Sequence, residues 1–125
     1  MHMAIVRHIA SPPTVDQLLA HIVHEARDTV ALLRRRDCEQ AVGSCEALAA
    51  QSRWAAQTLD FAAIPPDAEA ARGDALAALG RVTDWAANAC ELDTPRRLAA
   101  DELAVHAQAV AVARAELVAA GAGRL

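Results

Sequence analysis

The sequence predicts an all-α fold, a single-domain antiparallel four-helix bundle with a short N-terminal arm. Three observations carry that expectation. About a quarter of the 125 residues are Ala, Tyr is absent, and Trp54, Phe61 and Trp85 are the aromatics, a composition that favours helix. Apolar residues recur at helical spacing through four stretches of about 20 to 25 residues. Short connections rich in Pro, Asp and Thr separate those stretches, which places consecutive helices side by side and antiparallel. A chain of this length supports one core and not two.

Residues 1–13 read as the arm. Ile5, Val6 and Ile9 give it apolar character, and Ser11-Pro12-Pro13 closes it. Thr14 followed by Gln17 is a capping-box pattern. The first helix is expected over 15–35, with Val15, Leu18, Leu19, Ile22, Ala26, Val30 and Leu33 on one face. Asp37 with Gln40 repeats the cap pattern and opens a second helix over 38–63. Its core face is Cys38, Ala41, Val42, Cys45, Leu48, Ala49, Ser52, Ala56 and Leu59. Ala47, Ala50, Trp54 and Phe61 form a second apolar line on another side.

Ile64-Pro65-Pro66-Asp67 ends that helix, because Pro lacks the N–H that would continue it and restricts the residue before it. The third helix is expected over 68–91, with Ala75, Leu76, Leu79, Val82, Ala86 and Cys90 inward. Thr94 caps the fourth, with Pro95 in its first helical position. That helix runs to Ala120 and stops at Gly121. Leu98, Leu103, Val105, Val110, Val112 and Leu117 form its apolar arc, and Glu102 and His106 fall inside the arc one turn apart. The bundle thus spans 14–121, and 122–125 form a tail.

Composition narrows the function classes. The net charge is −4 and all twelve basic residues are Arg, with no dominant basic face, which argues against nucleic-acid binding. The run Arg34-Arg35-Arg36 sits where cations complement a helix C-terminus. No apolar run approaches the roughly 20 residues of a membrane span, and no signal-peptide pattern opens the sequence, so the expected location is cytoplasmic. Three Cys without a CxxC motif fit reduced thiols. Cys38 and Cys90 fall at similar heights on adjacent helices and are a candidate thiol pair. No Gly-rich phosphate loop, nucleophile elbow or zinc spacing is present, so an enzyme is not expected.

Turns near residues 36, 65 and 94 set the height of every residue along an antiparallel bundle. Cys45 then shares a layer with Asp28, Trp85 and Glu102, and His106 lies one turn further on. Thiolate, carboxylate and imidazole are transition-metal ligands, so Cys45, Glu102 and His106 are a candidate metal or small-ligand site. No cofactor is required by the sequence.

His21-x-x-His24-Glu25 places His and Glu four apart, as hemerythrin-like bundles do. The paired His motifs of a di-iron site are absent from the other helices, and helical phase turns these side chains outward. His24-Glu25-Ala26-Arg27-Asp28 resembles the H-box of histidine-kinase dimerisation helices. That resemblance implies a phosphoacceptor role for the exposed His24, although the usual Pro break is missing. Trp54 and Phe61, seven apart beside Ala47 and Ala50, are candidate interface anchors. An Ala-based core buries little area per side chain, and self-association compensates. The leading expectation is a non-enzymatic interaction or assembly protein that forms a homodimer through its second helix and accommodates a further protein partner.

Overall fold

The computed structural model describes the backbone of residues 13–35, 38–91 and 97–123, and their side chains except at 38, 90, 91 and 97–99. Among the described residues are four long helices: α1 Val15–Arg34, α2 Cys38–Phe61, α3 Glu69–Glu91 and α4 Arg97–Ala119. A single 3-10 turn, Pro66–Ala68, leads into α3. Each helix packs against its sequence neighbour, and α4 closes the ring against α1. The chain folds as the all-α four-helix bundle expected from its sequence. No helix is long and apolar enough to cross a membrane among the described residues.

The helix ends follow from local chemistry. The Gln17 N–H donates to Thr14 Oγ1 at 3.1 Å, and the Thr14 N–H donates to Gln17 Oε1 at 2.9 Å, completing the capping box. At the other end of the chain Gly121 has φ 85°, which a residue without Cβ adopts at low cost. Its N–H donates to Val118 C=O and that of Ala122 to Leu117 C=O, a Schellman ending. Ala122 is buried, so the core extends one residue into the segment read as tail. The caps expected at Asp37 and Thr94, most of the arm, and the pairing of Cys38 with Cys90 lie outside the described residues.

Heights along the bundle match the turn positions read from the sequence. Thr29 on α1 meets Ser44 on α2. Asp16 meets Arg114, with Nε to Oδ1 at 2.7 Å and Nη2 to Oδ2 at 3.0 Å, a two-pronged clasp between α1 and α4. That hydrogen bond holds the Arg114 pKa above its ordinary value. Thr29 Oγ1 donates its proton to Glu25 C=O at 2.8 Å, so the Ser44 hydroxyl is the donor in its contact with Thr29 Oγ1.

Phase corrects the reading of α4. Its buried residues are Ala100, Leu103, Ala107, Val110, Ala113 and Leu117. Val105 and Val112, assigned to the inner arc, are 67 % and 47 % exposed. One residue is about 100° of rotation, and the structure takes the line in which Ala faces the bundle. Trp85 and Ala55 join the core as well, while Leu76 and Ala56 sit at its edge. Ser52 is buried on the α2 core face with Cys45 and Leu59, and its Oγ has no hydrogen-bond partner.

Two measurements check this packing. Leu103→Ala should lower unfolding free energy in denaturant titration by about 2–5 kcal/mol, whereas Val105→Ala should stay within about 0.5 kcal/mol. Ser52→Ala removes an unsatisfied buried hydroxyl and should raise stability by about 1 kcal/mol.

Candidate functional site

The helix α2 is apolar on two sides, and among the described residues nothing packs over its outer side. With Ala41, Cys45, Leu48, Ser52, Ala55 and Leu59 directed inward, the opposite line is Gly43, Ala47, Ala50, Trp54, Gln57 and Phe61. Every member of that line is exposed among the described residues. Trp54 is 51 % and Phe61 88 % exposed. The line has a gradient of size. Its N-terminal half is Gly43, Ala47 and Ala50, and the space beside Gly43 is open. Its C-terminal half carries the two aromatic rings.

The aromatic half borders a shallow groove of about 680 Å³, with Pro13 and Val15 at the start of α1 forming its other wall. The α2–α3 turn holds this region in place. Arg72 Nη1 donates to Ala62 C=O at 3.0 Å, and its Nη2 contacts both Glu69 carboxylate oxygens at 2.7 Å. This cation ties down a carbonyl at the end of α2, where backbone acceptors lack intrahelical partners.

The interior layer expected to hold a metal is at the right height but not on the right face. Cys45 is buried, Glu102 is exposed, and His106 is half-buried at the rim. Leu103 fills the core position one residue after Glu102. The donor atoms of Cys45, Glu102 and His106 do not form a compact set. Among the described residues the one group of three ligating side chains within 4.8 Å of one another is His24, Glu25 and Asp28. It lies along the outer face of α1. His24 Nε2 is 3.2 Å from Asp28 Oδ2, and His21 Nε2 is 3.9 Å from Glu25 Oε1. His24 is exposed, as helical phase requires, and two carboxylates crowd it. Their negative charge opposes the approach of a phosphoryl group.

Two further surfaces carry charge that the linear sequence conceals. Between α1 and α4, Arg27, Arg34 and Arg35 border one groove. The seven-residue spacing of Arg27 and Arg34 was the signal for it, overshadowed by the Arg34–Arg36 run. Between α3 and α4, Asp74, Arg81 and Glu116 border a smaller hollow. A hydrogen bond with Asp74 raises the Glu116 pKa, with burial and like charge adding to it.

A raised carboxylate pKa makes the folded chain hold a proton that the unfolded chain releases. Its stabilising effect is present at low pH and is lost as pH rises through the carboxylate range. Glu116→Gln keeps a hydrogen-bonding partner for Asp74 without the second charge. Relative to wild type, this variant should gain stability between about pH 4 and pH 7, read as a growing difference in urea midpoint.

No protein-family model, curated protein or solved structure matches this chain.

Proposed function

We propose that this chain is a non-enzymatic, self-associating helical module whose docking face is the outer line of α2. The observation that supports the reading is the pair Trp54 and Phe61, exposed among the described residues two helical turns apart on a line whose other members are Gly43, Ala47, Ala50 and Gln57. An aromatic side chain buries about 150–250 Å² when fully covered, of which Trp54 still exposes 51 % and Phe61 88 %, and such residues dominate interface energetics when a partner desolvates them. Gly43, Ala47 and Ala50 let a partner backbone approach closely. Among the described residues the buried polar side chains are the hydroxyls Thr29 and Ser52, and the Cys45 thiol is buried with them.

Sedimentation equilibrium across a concentration series tests the reading. Wild type should be a dimer that dissociates on dilution. Trp54→Ala combined with Phe61→Ala should weaken dimerisation by about 30-fold or more, the effect of losing an anchor worth about 2 kcal/mol. Val105→Ala with Val112→Ala changes the other exposed apolar line, on the diagonally placed α4, and should leave the dimer intact. A chain that is monomeric throughout, or a dimer indifferent to the α2 variants, overturns the proposal.

A further inference from the structure

The groove between α1 and α4 differs in kind from the α2 face. Its volume is about 610 Å³, within the range of small-molecule sites. Its floor is apolar, made by Val30, Ala31 and Ala104, and its rim is formed by Arg27, Arg34 and Arg35. Among the described residues no carboxylate lines it, although the chain as a whole has a net charge of −4. Among the described residues Arg27 and Arg35 take part in no ion pair. Arg34 Nη2 reaches Asp101 Oδ1 at 3.2 Å, with both side chains more than half exposed. A solvent-exposed pair of this kind contributes little and exchanges readily for a better acceptor.

Helix geometry explains why the cations converge. Arg27 and Arg34 are seven apart, so they share one face of α1 at roughly 10 Å along its axis. Val30 and Ala31 lie between them on the same face and supply the apolar floor. The C-terminal end of α1 adds a partial charge of about −0.5, which three full positive charges outweigh. Guanidinium is also the side chain best matched to a carboxylate, sulfonate or phosphate, because its planar fork donates two parallel hydrogen bonds.

We infer that this groove binds a small amphipathic anion. The apolar body of the ligand lies over Val30, Ala31 and Ala104, and its anionic head meets Arg27 and Arg34. The site is separate from the α2 face and does not depend on it.

Two dyes with the same ring system test this. 8-Anilinonaphthalene-1-sulfonate carries the anionic head, and N-phenyl-1-naphthylamine lacks it. In fluorescence titrations of the full chain, the sulfonate should bind about tenfold or more tightly than the neutral dye. R27Q combined with R34Q should erase that difference. A31W, which fills the floor without touching charge, should weaken both dyes. Dodecanoate below its micellar concentration should displace the sulfonate, and dodecanol should not. Trp54→Ala, at the opposite end of the bundle, should leave sulfonate binding unchanged. Equal binding of the two dyes to wild type, or sulfonate binding that survives R27Q/R34Q and is lost in Trp54→Ala, overturns the inference.

Discussion

The constraint that shapes this bundle is the small size of the side chains at its helix contacts. Ala26, Ala41, Ala55, Ala75, Ala78, Ala86, Ala100 and Ala107 are all buried, and every helix contributes at least one. A methyl group between helices draws the axes toward the short end of the usual 8–10 Å separation. It also costs almost no side-chain entropy to bury. The larger side chains, including Leu19, Ile22, Leu48, Leu59, Leu79 and Leu103, fill the spaces between these contacts. Close approach leaves little room for more. Bulky groups beyond that number are displaced outward, and Trp54, Phe61, Val105 and Val112 are found there.

The same constraint decides what could be read from the sequence. The α1 face was legible residue by residue, since its large aliphatic side chains mark one phase and Thr14 with Gln17 mark its start. Heights were legible too, because short turns leave little freedom in register. Thr29 beside Ser44, and Asp16 clasped by Arg114, follow from turns near residues 36 and 94. The phase of α4 was not legible from hydrophobicity. Its sequence offers two lines, one with Val105 and Val112 and one with Ala107 and Ala113. A reading by apolar strength selects Val, whereas packing selects the smaller residue. That one choice of phase moved Glu102 out of the core and dissolved the layer expected around Cys45.

The buried polar side chains described are two hydroxyls, one engaged with its neighbour helix and one unsatisfied. Among the described residues the charged side chains lie at rims and outer faces, where water screens them, and the buried titratable group is the Cys45 thiol. The α1 triad of His24, Glu25 and Asp28 is of this kind. It sits on one helix, and among the described residues no donor from a second element joins it. Surface shape and charge pattern therefore carry more functional information here than any single reactive group.

Two surfaces stand out on that criterion, and they obey opposite physics. The aromatic half of the α2 face lies near the C-terminal end of that helix, beside the start of α1. The arginine groove lies near the end of α1, at the opposite end of the bundle, because α1 and α2 run antiparallel. The proposed docking of two copies through Trp54 and Phe61 would bring together chains that each carry a net charge of −4. Salt screens that repulsion over about 8 Å at physiological ionic strength, so apolar association strengthens as salt is added. An anion held by Arg27 and Arg34 is weakened by the same screening. Ionic strength thus acts on the two faces with opposite sign. The two faces share no side chain: one is apolar, lined by Trp54, Phe61, Pro13 and Val15, and the other is charged, rimmed by Arg27, Arg34 and Arg35.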